Sequence, residues 1–213
     1  MNKIINKPIV MIDFETTGLN PANGDRVTEV AALRIVDGEI VDRFVSLINC
    51  NVYIPSFITQ LTGITQKMVN GAPPAKEVIP ELLQFIGTDT LSAHRASFDE
   101  KFLNAESQLL GLQAQHQGLI CTVKLARRVF PGMRQYALGP LASTLGIPFK
   151  SQAHRAEADA EVASALLIHS ATQLAEKYNL TSFEPLLLQK ITGVSVAKVN
   201  TFLEKYLTKA DIK

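Results

Sequence analysis

Asp13 and Glu15 stand two residues apart in "IVMIDFETTGLN", inside an apolar run that opens after Pro8 and closes on Thr16-Thr17-Gly18. The run is rich in Ile, Val and Met and ends at a turn signal, so it is predicted as a strand. Side chains alternate across a strand, which points both carboxylates to one face and Ile12 and Phe14 to the other. Two like charges this close repel. Exposure of an edge strand to water relieves the conflict, as does a proton retained on one acid or a divalent cation between them. Two further acids and a histidine lie downstream. In "SFDEKFL", Ser97 and Glu100 have capping-box spacing, which places Asp99 in the first turn of a helix directly after the short strand "TLSAH". In "AHRAEADAEV", Asp159 falls near the start of a long helix and His154 just before it. Each acid taken singly has a plainer explanation, because helix N-termini favour negative charge. His169 falls at helical spacing from Val162 and Leu166 and reads as a packing residue, and His116 reads as a solvated loop residue.

The elements that must position these groups follow from pattern. "RVTEVAALRIV", Asp37-Gly38 and "EIVDRFVSLIN" read as a hairpin. Pro55 and "LTGIT" mark a loop with short helical turns, and "GAPPAKEVIPELLQFIG" contains a helix whose Pro80 suits only its first turn. "GLICT" is a strand leading into a helix over 122–130, followed by a Pro131-Gly132 stop, a helix near "LGPLASTLG" and the long helix over 156–178. A meander followed by strand–helix alternation predicts an α/β domain with a mixed sheet flanked by helices. Residues 1–178 are expected to form it, with 179–213 as a small helical C-terminal extension. There Val196, Val199, Leu203 and Tyr206 form an apolar stripe on the second of two short helices.

The totals agree with one sizeable domain. The chain has 213 residues, 46% hydrophobic and 19% charged, with a net charge of +1. No apolar run reaches bilayer-spanning length and the first residues lack a long apolar core, so a cytoplasmic protein without membrane contact is expected. Cys50 and Cys121 lack C-x-x-C spacing and are expected as reduced thiols. Charge is uneven. Residues 1–120 hold nine Lys/Arg against thirteen Asp/Glu, and residues 121–213 hold twelve against seven, a split that suits a metal site beside a phosphate-binding rim and that also arises by chance.

"DFETTGL", "AHRASFDEKFL" and "HRAEADA", in this order, resemble the three motifs of the DEDDh (DnaQ-like) 3′→5′ exonucleases, a family typified by the epsilon proofreading subunit of bacterial DNA polymerase III. The resemblance runs over about residues 7–175 and implies a ribonuclease H-like fold. It also implies that Asp13, Glu15, Asp99 and Asp159 bind metal, that His154 is the general base, and that Thr16, Thr17, Gly18 and Leu19 meet the 3′-terminal nucleotide. Two Mg²⁺ or Mn²⁺ ions would match a formal charge of −4 on hard oxygen ligands. The implied activity is metal-dependent hydrolysis of single-stranded nucleic acid, DNA in first place, from the 3′ end to nucleoside 5′-monophosphates. A polymerase-associated proofreading subunit and an RNA-directed exonuclease are the alternatives, and a DNA polymerase or a second copy of the chain is a candidate partner.

One position departs from the family. Arg95 stands where Asn usually follows the second-motif histidine, either as a phosphate ligand or in solvent. Lys124, Arg127, Arg128 and Arg134 are candidates for contacts to the nucleic-acid backbone, with a solvated helix face as the alternative. "KITGVSVAKV" faintly resembles a helix-hairpin-helix turn, with Ser195 in place of the second Gly. Packing against the main domain, or against a dimer partner, is the favoured role of this segment.

Overall fold

A computed structural model describes residues 4–149 and 154–210. Five strands form one sheet: β1 (Ile9–Thr16), β2 (Val27–Val36), β3 (Glu39–Leu47), β4 (Thr90–Ala93) and β5 (Leu119–Cys121), in the order β3-β2-β1-β4-β5. β1 pairs antiparallel with β2 and parallel with β4, so the sheet is mixed as the pattern predicts. Asp37 and Gly38, at φ 55° and 81°, make the tight β2–β3 turn. Two positive φ values in succession are what a type I′ hairpin requires.

The helices are α1 (Ser56–Thr62), α2 (Gln66–Asn70), α3 (Ala75–Ile86), α4 (Ala96–Leu109), α5 (Thr122–Val129), α6 (Leu138–Thr144), α7 (Ala156–Tyr178), α8 (Pro185–Gly193) and α9 (Val199–Ala210). Parity divides β1 between two cores. Ile9 and Met11 pack with Ala31, Leu33 and Ile35 of β2 under α7, while Val10, Ile12 and Phe14 pack with α3 and α4. α7 meets the sheet through Ala156, Ala160, Ala163, Leu167, Ala171 and Leu174, a stripe at helical spacing whose small residues let the helix lie close. Asp13 and Glu15 continue the Ile9–Met11 parity, so they emerge on this face beside the N-terminus of α7.

Several local expectations change. α3 begins five residues before Pro80 and carries it in its interior. Pro80 is exposed there, so water can reach the Lys76 carbonyl left without its helical partner. α4 begins at Ala96 with Arg95 at the cap and no side-chain cap bond; Ser97 lies inside the helix and forms no capping box, yet Asp99 remains in the first turn. Val196 belongs to a short 3-10 turn, Val196–Lys198, and is 46% exposed, whereas Val199 and Leu203 are buried. The stripe on the last helix therefore starts at Val199.

The C-terminal helices are not detached from the main body. Leu187, Leu188, Ile191, Val199 and Leu203 belong to the α7-side core. Phe183 bridges back to the N-terminal segment, donating its N–H to the Ile4 carbonyl (2.8 Å) and accepting from the Asn6 N–H (3.1 Å).

Candidate active site

Three elements end at one place. The C-terminal half of β1 brings Asp13 and Glu15, the first turn of α4 after β4 brings Asp99, and the start of α7 brings Asp159 with His154 before it. Sites at the carboxyl ends of parallel strands are the usual location in open α/β sheets. Glu15 is 9% exposed and Asp99 3%, while Asp13 and Asp159 are half-buried and His154 is exposed. Ligand atoms of Glu15, His154 and Asp159 all lie within 4.8 Å of one another. Asp13 and Asp99 are not members of that tight group, but they act on it electrostatically.

The cost of assembling these acids shows in their protonation. Burial, and then the charges of Asp99, Asp159, Glu15 and Glu29, push Asp13 well above the usual carboxylate range. Burial, Asp159 and Glu29 raise Glu15 to about 8. Asp99 rises to about 8 mainly through burial, although N–H groups of its own backbone and of Phe14 favour its charged form. Phe14 lies beyond the three-residue β1–β4 ladder, so its N–H is free of the sheet on that side. Burial also raises Asp159, against the lowering influence of His154. Four carboxyl groups that repel one another when ionised match a divalent cation, which would remove the repulsion.

Two residues of this site went unread in the sequence, Glu29 and Arg155. Glu29 on β2 stands directly opposite Glu15 and is 3% exposed. It accepts from Arg155 Nη2 (2.5 Å) and Nε (3.1 Å) and from the Ala156 backbone N–H (3.0 Å). One carboxylate thus caps α7 and fastens the residue after His154. His154 itself sits at φ 64°, and its N–H donates to Asp159 Oδ2 at 3.0 Å. Arg43 on β3 adds exposed bridges to Glu157 (2.8 Å) and Glu161 (2.7 Å). For Glu29 the available signal was a lone acid in the apolar strand "VTEVAALRIV", weaker than the same-face pair that singled out Asp13 and Glu15.

The other named residues divide by role. Thr16 and Thr17 are buried, and their hydroxyls hold their own turn: Thr16 Oγ1 donates to the Gly18 carbonyl (2.6 Å), and Thr17 Oγ1 accepts from the Arg26 N–H (3.0 Å). At Gly18 an added Cβ would come within 2.4 Å of the Asp25 carboxylate, so that close approach requires glycine. Leu19 is 79% exposed, and its carbonyl accepts from Lys101 Nζ (2.7 Å). Arg95 is exposed at φ 76°, in the left-handed region that Asn tolerates better than Arg. Among the candidate backbone contacts, Arg128 is engaged within the fold. Its Nε donates to the Val194 carbonyl (2.9 Å) and its Nη1 to the Lys124 carbonyl (2.9 Å), tying α5 to the turn after α8. His94 is an internal strut. Its Nε2 must donate to the Tyr136 carbonyl (3.1 Å), leaving Nδ1 to accept from the Thr122 hydroxyl (2.8 Å). Burial lowers it to about 4, so it stays neutral. His169 stacks on Phe130 at 5.5 Å, in keeping with a packing role.

A mixed five-stranded sheet with an acid cluster of this kind at its carboxyl end defines a ribonuclease H-like nuclease. Residues 10–167 match the RNase T exonuclease family model, and the chain belongs to this DnaQ-like exonuclease family. It is 33% identical over 182 residues to the DNA polymerase III epsilon subunit of Aquifex aeolicus, covering 85% of this chain and 89% of that protein. It is 35% identical over 204 residues to the PolC-type DNA polymerase III of Clostridium perfringens, covering 96% of this chain but only 13% of that polymerase's length. Among solved structures, exonuclease X in complex with 5′ overhanging duplex DNA superposes with a TM-score of 0.67 at 28% identity, over 86% of this chain and 99% of that one. No helix among the described residues is long and apolar enough to cross a membrane.

Proposed function

We propose that the protein is a DEDDh-type 3′→5′ exonuclease that removes nucleoside 5′-monophosphates from single-stranded nucleic acid, DNA in first place. The convergence of Asp13, Glu15, Asp99 and Asp159 with His154 at one sheet end, with carboxyl groups held above their ordinary range, supports this reading most directly. The four acids would hold two divalent cations, Mg²⁺ or Mn²⁺. When bound, such ions supply Lewis-acid polarisation of the phosphoryl oxygens and of the attacking water.

The chain's own residues perform the remaining tasks. His154, exposed beside Glu15 and Asp159, accepts the proton of the attacking water. Glu29 and Arg155 hold the backbone that carries it. The turn over residues 16–19, closed by the Thr16, Thr17 and Lys101 bonds, presents Leu19 to the terminal nucleotide. The similarity to nearly the full length of an epsilon subunit favours, as a second reading, a domain that also works beside a DNA polymerase.

A digestion panel tests the proposal: 3′- and 5′-labelled DNA and RNA oligomers, single- and double-stranded, with Mg²⁺, Mn²⁺ or EDTA. Stepwise shortening from the 3′ end that EDTA abolishes is expected, with DNA preferred. Cleavage from the 5′ end, or turnover in EDTA, would overturn it.

A further inference from the structure

Tyr53 and Phe57 are 76% and 62% exposed, unusual for large aromatic side chains, and they project from a segment with its own small core. Ile54 and Ile58 turn inward onto Cys50, Ile64 and Val69, and this leaves Tyr53, Phe57 and Leu61 (47% exposed) facing out at spacings of four. On α1 that spacing stacks Phe57 and Leu61 on one helix face. The inner residues explain why the segment is ordered; nothing among the described residues covers the outer ones.

Topology places this stripe at the active-site end of the sheet. β2 runs antiparallel to β1 and β3 antiparallel to β2, so Glu15, Glu29 and Leu47 form one row across three strands. The chain leaves the sheet at Leu47, beside that row. Arg26 then fixes the departing segment, donating to the Cys50 carbonyl (3.3 Å) while its guanidinium clasps buried Glu106 of α4 (2.7 and 2.8 Å). The same arginine thereby joins the Tyr53 segment, the start of β2 and the helix that carries Asp99. Leu19 is exposed at this end as well.

We infer that Tyr53 and Phe57 form a stacking platform for bases of a single-stranded nucleic acid upstream of its 3′-terminal nucleotide. This rests on the exonuclease reading of the neighbouring acid cluster. That cluster needs a strand leading into it, and π-faced rings take any base without sequence preference. Neither ring is required by the fold, since the inward-facing isoleucines already anchor the segment. Without cations the acidic sheet end repels a polyanion, so affinity there in EDTA must come from contacts to bases rather than from charge alone.

The test uses the full chain in EDTA and measures affinity by fluorescence anisotropy for single-stranded DNA oligomers of 2 to 12 nucleotides. Parallel oligomers carry abasic sites at every position except the 3′ terminus. Tyr53→Ala and Phe57→Ala are expected to weaken binding of the longer base-bearing oligomers by roughly tenfold each. They should leave dinucleotide and abasic affinities close to those of the parent. Tyr53→Phe should retain parent affinity. Unchanged affinity for the long oligomers would overturn the platform, as would equal losses on abasic ones. A shift in sedimentation of the parent towards a dimer that both alanine variants abolish, with oligomer binding intact, would reassign the stripe to protein contact. The parent's cleavage of a p-nitrophenyl ester of a nucleoside 5′-monophosphate, which has no upstream base, checks the catalytic reading separately. Cleavage there with unchanged oligomer affinity removes the platform only.

Discussion

His154 is the residue on which the proposed chemistry turns. Its ring lies within 4.8 Å of ligand atoms of Glu15 and Asp159, close enough to hand a proton to or from a group held by those acids. A positioned base contributes about 10²- to 10⁴-fold, so His154→Ala should reduce kcat by that order while substrate affinity changes little. Steady-state kinetics at saturating cation decide this, and a parent-like kcat would make the histidine structural. The acids carry a second expectation. Glu15 and Asp99 titrate at about 8 when folded, against about 4 for an unfolded carboxyl. The folded state therefore holds protons that the unfolded state has released, and that advantage is lost as pH rises through about 8. Thermal denaturation in EDTA should show Tm falling between pH 6.5 and 9, a window above the range where His94 adds its own dependence. Mg²⁺ or Mn²⁺ should raise Tm most at the alkaline end, because cations bind the ionised acids. A flat profile in EDTA, insensitive to cation, would contradict the acid cluster. Arg95 combines two opposing effects. Asn suits its φ of 76° better, so Arg95→Asn should stabilise the protein by about 1 kcal/mol. If Arg95 neutralises a substrate phosphate, the same change lowers oligomer affinity and reduces the salt slope by about one. An unchanged slope leaves the arginine in solvent.

At the scale of elements, the start of α7 depends on its attachment to β2. Glu29 spends both oxygens on Arg155 and the Ala156 N–H, and thereby sets where His154 and Asp159 stand. Arg155 is 39% exposed, so the pair is less costly to break than a fully buried one. Glu29→Gln is expected to cost about 2 kcal/mol and to lower kcat more than it changes KM. Arg155→Gln should behave alike, and the double variant should be little worse than either single one, as expected for residues acting as a unit. Denaturation midpoints and kinetics for the four proteins test this. Strictly additive losses would mean that the two residues serve separate purposes.

For the whole molecule, the C-terminal helices α8 and α9 share the core that holds α7. The resemblance to the exonuclease motifs ends near residue 175 and the family match at residue 167, and we propose the division after residue 178 as a functional boundary rather than a folding one. Leu187, Leu188, Ile191, Val199 and Leu203 are each less than 5% exposed within the core that also holds α7. Burying one large aliphatic side chain is worth about 1.5–3 kcal/mol, so ending the chain at Tyr178 should remove a large share of a total stability of about 5–15 kcal/mol. Urea denaturation should show a clearly lower midpoint for residues 1–178, or an aggregating protein. A midpoint equal to the parent's would make the extension an independent appendage.

What the sequence by itself determined was local. The alternation around Asp13 and Glu15, the Asp37-Gly38 turn and the 156–178 helix could be read because each depends on neighbours in the chain, and the spacing of three short motifs was enough to identify the family. Ser97 and Pro80 show the limit of local reasoning. A good cap and a helix breaker were both overruled, because the buried faces of α4 and α3 set where those helices begin. Only the tertiary structure decided which lone acids matter. Glu29 looks no different from any acid in a strand until β2 is laid beside β1, which puts it opposite Glu15 and beneath Arg155, 126 residues away. Arg128 likewise read as a nucleic-acid backbone contact or a solvated cation until α8 packed against its helix and offered the Val194 carbonyl. Pairing across strands and packing between distant helices set charge, burial and partner together, and none of the three is a property of a residue's neighbours in sequence.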